Sequence, residues 1–377
     1  MGGTDRGKEI VAAYRLLAIG VAAAFVLCGI AAVVMAHSGS LLTDFLSFWA
    51  AGHLAVGGHP TAAYNIAQHL AVEEQVISNV GILPFPYPPP FLLILLPFGL
   101  APFWIAFAAW IAMTSAFYVV VSRRIIEPRF SLAQAAAAAN FITGQNGFLT
   151  SGIFIGGTSL LAARPFLAGA ILGTLCFKPQ LAILLPVALL AGREWRAIAG
   201  GIISSAVLVV LALLLFGMDS YRGFLALLPQ FTDWLRAERW PLGEMASTFA
   251  MLRSVGVPAG PALTVHAAIA LVAAGLTARA WAFRLDSRVP VLAAATLLVT
   301  PYLMTYDALL LTVPLGYLLG ERHGRAKFLA TWALSLIPVL SYFSKVPNTL
   351  PIAAMLALWA LHSPSAGWAR TKAAYQV

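Results

Sequence analysis

Long apolar blocks follow one another along nearly the whole chain, separated by small Arg/Lys clusters or by runs rich in Pro, Gly and Asn. About 20 apolar residues in helical form span the roughly 30 Å of a bilayer's hydrocarbon core. Blocks such as 16–36 and 103–121 reach that length, so the pattern predicts an all-α polytopic integral membrane protein. Others, including 166–177 and 181–191, fall short of 18 residues. They predict helices that stop inside the membrane and leave a cavity or an unwound turn there.

The basic clusters mark depth. Arg6, Lys8 and Arg15 precede the first block, which puts the N-terminus in the cytoplasm under the positive-inside rule. Arg123/Arg124, Arg164, Arg193/Arg196, Arg279/Arg284/Arg288, Arg322/Arg325/Lys327 and Arg370/Lys372 then read as cytoplasmic. The chain must go out and return between them, which brings Gln145-Asn146, Lys178, residues 218–261, Pro301-Tyr302 and residues 344–348 near the outer face. Blocks 91–100 and 103–121 resemble two crossings where the charge markers allow one. The expectation is therefore about 12 transmembrane helices plus one shallow or re-entrant segment, in a single domain over 1–377. Its first outer loop covers about 37–87 and a larger one about 217–261, the latter carrying Phe231, Trp234, Arg236, Arg239 and Trp240 in the alternation of an interfacial helix.

Composition narrows the function classes. The chain is 60 % hydrophobic and 10 % charged, with a mean hydropathy of +0.87, whereas soluble domains are about one quarter charged. The net charge of +9 is dispersed among the topology clusters, so no basic face for nucleic acid emerges. Cys28 and Cys176 lie in apolar stretches and read as packing residues without metal-site spacing. The first block is too long for the apolar core of a signal peptide, so it is expected to be retained. His53, His59 and His69 are scattered, and there is no P-loop, GxSxG or Asp-x-Asp pair. A transferase using a nucleotide sugar would commonly need such an acidic pair, so an extracytoplasmic transferase here would draw on a lipid-linked, singly phosphorylated donor.

Candidate chemistry begins at Asp44, just beyond the first block. A carboxylate at a helix end is often simply solvated. Beside Phe45, Phe48 and Trp49 it is also placed to be partly buried, which is what a general base for a hydroxyl needs. The three prolines after Tyr87 fix an extended approach to the next helix, either as punctuation or as a pocket wall. Gln145 and Asn146 lie between apolar blocks, where amides need partners, whether a turn or a ligand supplies them. Lys178 lies within an apolar hairpin, where it either snorkels or neutralises an anionic lipid phosphate. Asp307, which ends the turn containing Tyr302, either orients a substrate hydroxyl or pairs with Lys178 or a loop arginine. Arg253 either faces solvent and headgroups or recognises phosphate.

The order of these motifs is more informative than any one of them. Asp44-Phe-Leu-Ser-Phe-Trp-Ala-Ala-Gly52, Gly58-His-Pro-Thr-Ala-Ala-Tyr64, Tyr87-Pro-Pro-Pro-Phe91, Gly144-Gln-Asn146, Ala168-Gly169, Phe177-Lys-Pro-Gln180, Ser247-Thr-Phe-Ala250 and Thr300-Pro-Tyr-Leu-Met-Thr-Tyr-Asp307 together resemble glycosyltransferase family 87. That family includes polyprenol-phosphate-mannose-dependent α-mannosyltransferases of actinobacterial envelopes. The resemblance implies a GT-C fold in a bacterial cytoplasmic (inner) membrane, acting at its periplasmic face by an inverting, metal-independent reaction. The family's base, an Asp in the first outer loop, matches Asp44. The implied donor is a polyprenyl-phosphate sugar with no further cofactor, and the implied partners are membrane lipids and a glycolipid or other envelope acceptor. Tyr87, Gln145, Asn146, Lys178, Arg253, Tyr302 and Asp307 are the candidates for substrate binding, with Lys178 or Arg253 placed to stabilise the leaving phosphate, and Asp307 standing where some relatives have a Ser-Pro followed by a His. The rival classes are a transporter or flippase for a lipid or small solute, and a non-catalytic membrane scaffold.

Overall fold

A computed structural model of the chain describes residues 43–236, 242–321, 324–338 and 347–362. The expected first span at 16–36, Cys28, Arg239, Trp240, Arg322, residues 344–346 and the Arg370/Lys372 cluster lie outside them. Among the described residues regular structure is helical, apart from an isolated antiparallel bridge between Met245 and Met304.

Three of these helices, Phe103–Ser122, Trp195–Arg236 and Ala259–Ala282, are long and apolar enough to cross a membrane. They leave Trp104, Ile105, Leu214, Leu271 and Val272 exposed. In water such faces would be covered, whereas lipid accepts them without cost. Against the expected 12 spans, a further six apolar helices among the described residues are only 10–17 residues long. Their shortness has local causes. Pro90–Gly99 starts on the triple proline and is followed by Ala101-Pro102, so its ten residues rise about 15 Å, half the hydrocarbon thickness. The following Phe103–Ser122 helix has the length for a full crossing. Trp195–Arg236 is likewise interrupted at Gly217, whose φ of 74° breaks the helical path where the outer loop was expected to begin.

The Thr43–Val56 helix packs directly on Pro90–Gly99. The contact is backbone to backbone: a Cβ on Gly99 would fall 2.3 Å from the carbonyl carbon of Gly52. Around this pair an aromatic core closes, with Phe45 against Phe103, Phe107 and Trp110, and Phe48 against Tyr87 and Phe91. Trp49 donates its indole N–H to the Ala101 carbonyl at 2.9 Å. The segment carrying Asp44 is therefore anchored in the protein interior by the aromatic residues that follow it.

Candidate active site

Four chain breaks deliver the polar groups. Asp44 occupies the first turn of Thr43–Val56. Gln145 and Asn146 follow Gly144, which ends the Ala135–Thr143 helix in a left-handed conformation (φ 72°). The Gly144 carbonyl accepts the Trp110 indole N–H at 2.9 Å, which fixes the turn against the aromatic core. Lys178 stands at the unwound point between the 3₁₀ turn Thr174–Phe177 and Pro179–Ala182. This is the interruption expected of the short 166–177 and 181–191 blocks. Asp307 lies in the 3₁₀ turn Thr305–Leu311, where Pro301 and the extended Met304 precede it.

These breaks converge. The Lys178 ammonium donates to Asp307 Oδ1 at 2.6 Å and to Asn146 Oδ1 at 2.7 Å, and its Nζ lies 4.8 Å from the Tyr306 ring centroid. Gln145 Oε1 accepts from the Asn146 backbone N–H at 3.0 Å and faces the Tyr87 hydroxyl at 3.5 Å. Its amide N–H group is thereby left for the Asp44 carboxyl, which meets both Gln145 and Thr143. Asn140 ties the turn carrying Asp307 to the start of the Gly147–Leu160 helix: its amide donates to the Tyr306 carbonyl at 3.0 Å, and its oxygen accepts the Gly147 N–H at 2.7 Å. The Asn146 amide nitrogen finds no acceptor among the described residues.

Burial is uneven in a useful way. Tyr87, Gln145, Asn146, Lys178, Tyr306 and Asp307 are all buried, while Asp44 remains partly open at the edge of the cluster. Desolvation raises the Asp44 carboxyl from its ordinary value to about 6, against the lowering effects of Thr143, Gln145 and the Lys178 charge. Glu244, in the 3₁₀ turn Leu242–Glu244, is pushed up to about 8 by burial and by repulsion from Asp44. The cluster thus holds one desolvated carboxyl near neutral pKa on a half-buried residue and, behind it, a buried ammonium whose charge is balanced by Asp307. Such a set can accept a proton at one end and present N–H donors to an anion at the other.

Six of the eight residues singled out from the sequence meet here: Asp44, Tyr87, Gln145, Asn146, Lys178 and Asp307. The other two are placed differently. Arg253 donates to the Val257 carbonyl at 2.9 Å, at the end of its own Thr248–Ser254 helix. Tyr302 is exposed on the turn that leads to Asp307. Thr143, Tyr306 and Glu244 belong to the surroundings of the site without having been singled out. Tyr306 adjoins Asp307 and Thr143 adjoins the Gly-Gln-Asn turn, so their sequence neighbours were the available signal. Glu244 carried none, because the fold alone brings the 242–244 turn toward residue 44.

A family model for glycosyltransferase family 87 matches residues 85–305 of the chain, more than half its length, and takes in Tyr87, Gln145, Asn146, Lys178, Glu244 and Arg253. No curated protein and no solved structure matches the chain.

Proposed function

The chain belongs to glycosyltransferase family 87 and is thus a membrane glycosyltransferase, and from this we propose its donor, base and side of action. In this reading it transfers one sugar, a hexose such as mannose, from a polyprenyl-phosphate carrier to an acceptor hydroxyl at the outer face of the cytoplasmic membrane. Asp44 takes the proton of that hydroxyl as its oxygen bonds to the anomeric carbon. The bond from that carbon to the phosphate oxygen breaks at the opposite side with its electron pair, so configuration inverts and polyprenyl phosphate leaves. Charge develops on that phosphate, and fixed positive charge beside it in a dry site lowers the barrier. Lys178 has two of its three N–H donors committed to Asp307 and Asn146, which leaves one for a phosphate oxygen. The unpartnered Asn146 amide nitrogen is a second donor in the same place.

The observation that carries the reading is the meeting of Asp44, through Thr143 and Gln145, with the buried Lys178–Asp307 pair in one cluster. A base near neutrality is ionised at working pH yet retains affinity for the proton. The test is transfer of radiolabelled sugar from a panel of synthetic polyprenyl-phosphate sugars, with purified protein in nanodiscs and envelope lipid extract as acceptor. Product is expected with wild type, with or without EDTA, and absent with Asp44→Asn. Normal turnover by folded Asp44→Asn protein would sink the mechanism.

A further inference from the structure

A second polar cluster lies outside the site just described. In the first outer loop a recess is lined by Tyr64, His69, Glu73, Leu83, Phe85 and Leu227, and its enclosed part has room for about one water-sized group. Glu73 is fully buried, His69 and Tyr64 nearly so. His69 Nε2 faces the Ser47 hydroxyl at 3.2 Å, and it also lies 3.2 Å from Glu73 Oε1 without a hydrogen bond forming to that carboxyl. Glu73 Oε1 thus has the imidazole as its close neighbour, while Glu73 Oε2, His69 Nδ1 and the Tyr64 hydroxyl find no hydrogen-bond partner among the described residues. A buried polar atom left without a hydrogen bond costs roughly 1–3 kcal/mol, so three around one recess mark a place where something polar belongs.

The geometry limits what that is. Glu73 calls for a donor and the Tyr64 hydroxyl can donate in turn, so in a recess with room for about one water-sized group a single heavy atom that both gives and receives a hydrogen bond would satisfy both. A hydroxyl does this, and an ammonium cannot accept. The His69 imidazole already lies 3.2 Å from Glu73 Oε1, which favours a neutral group over a cation in the recess. Position links the recess to the candidate active site. Ser47 lies three residues after Asp44 and so shares its face of the helix. The Phe85 ring that lines the recess lies 5.5 Å from the Tyr87 ring, which borders the Asp44 cluster.

We propose that this recess is a hydroxyl-binding subsite for a carbohydrate acceptor, receiving a hydroxyl other than the one that reacts, which donates to Glu73 and accepts from Tyr64. Phe85 and Leu227 provide its apolar wall. The subsite rests on the transferase reading above and adds to it the residues, Glu73 and Tyr64, that position the acceptor by a neighbouring hydroxyl.

The test separates binding from transfer. Saturation-transfer NMR is run with methyl α-D-mannopyranoside as probe on the full chain in nanodiscs, for wild type, Glu73→Gln and Tyr64→Phe. Wild type is expected to bind the probe, Glu73→Gln to bind about tenfold more weakly and Tyr64→Phe about threefold, since a hydrogen bond to a charged group outweighs a neutral one. Should Glu73→Gln fail to fold, Tyr64→Phe decides alone. No binding to wild type, or equal binding by all folded variants, overturns the subsite and leaves the recess to a structural water. Binding that depends on Glu73 without transfer from any donor would retain the subsite and refute the transferase mechanism. Transfer with an acceptor KM unmoved by Glu73→Gln would do the reverse.

Discussion

At Asp44 the same burial that suits a base also works against folding. A carboxyl whose folded pKa lies near 6, above its ordinary 3.8, binds its proton more tightly in the folded chain. Its contribution to stability is complete below about pH 3.8 and is lost as pH rises through about 6. Asp44→Asn removes that loss, so we expect the variant to be more stable than wild type by about 1–2 kcal/mol at pH 8, after discounting for the partial exposure of the residue, and about equal to it at pH 4. Thermal unfolding of both proteins across that range reads the difference. For catalysis the sign is opposite, because the base must be unprotonated. We expect kcat/KM to fall below an apparent pKa of about 6, and a pH–rate profile flat from pH 5 to 8 would remove Asp44 from that role. The Lys178–Asp307 pair behaves differently, since both partners are buried at 2.6 Å. Lys178→Met or Asp307→Leu alone strands an opposite charge and should cost about 3–5 kcal/mol, whereas the double variant should recover most of it. Denaturant titration of the three variants gives the coupling, and near-additive losses would mean the pair is not the main partner of either residue.

The elements of the site are helix ends and helix breaks, and their terminators decide where side chains point. Gly144 shows this most directly. Its φ of 72° is one that L side chains rarely adopt, and an added Cβ would lie 2.5 Å from that of Phe45 and 2.8 Å from the Phe107 ring. Gly144→Ala should therefore lose roughly 2–4 kcal/mol, about 1–2 from backbone conformation and the rest from overpacking. Because Gln145 and Asn146 follow directly, turnover in the surviving folded fraction should fall at least about tenfold. Retention of wild-type stability would show that the turn is not built against the aromatic core as described. The Thr43–Val56 and Pro90–Gly99 contact is equally intolerant at Gly99, and that helix pair positions Tyr87 through Phe48 and Phe91.

For the whole molecule, the exposed apolar side chains of the three long helices mark the surface in contact with lipid. Nitroxide labels at Leu214 and Leu271, 76 % and 74 % exposed, are expected to collide with dissolved oxygen in preference to a water-soluble nickel chelate. A label at Arg222, whose side chain is 74 % exposed beyond the break at Gly217, should show the reverse preference. Equal access of both reagents at all three positions would contradict the lipid-facing assignment. The all-helical class and the membrane setting were legible in the hydrophobic blocks, because in hydrocarbon each segment must satisfy its own backbone hydrogen bonds and so declares itself locally. The order of short motifs likewise identified the family. Within the site, Asp44, Lys178 and Asp307 stood out because a charge beside apolar residues is costly enough to be noticed in one dimension. Which charge meets which was a different matter. Whether Asp307 pairs with Lys178 or turns elsewhere depends on two breaks 129 residues apart closing on each other, and no local propensity encodes that distance. The same holds for Glu244 beside Asp44 and for the recess between Tyr64, His69 and Glu73, of which the sequence reading took up only His69, as a scattered histidine, and Tyr64, as the end of a motif. Sequence alone determined the class, the membrane and the family, since those follow from composition and local pattern. Only the tertiary structure decided the ion pair, the desolvated carboxyl and the unpartnered recess, since burial and proximity are properties of packed helices and not of any segment by itself.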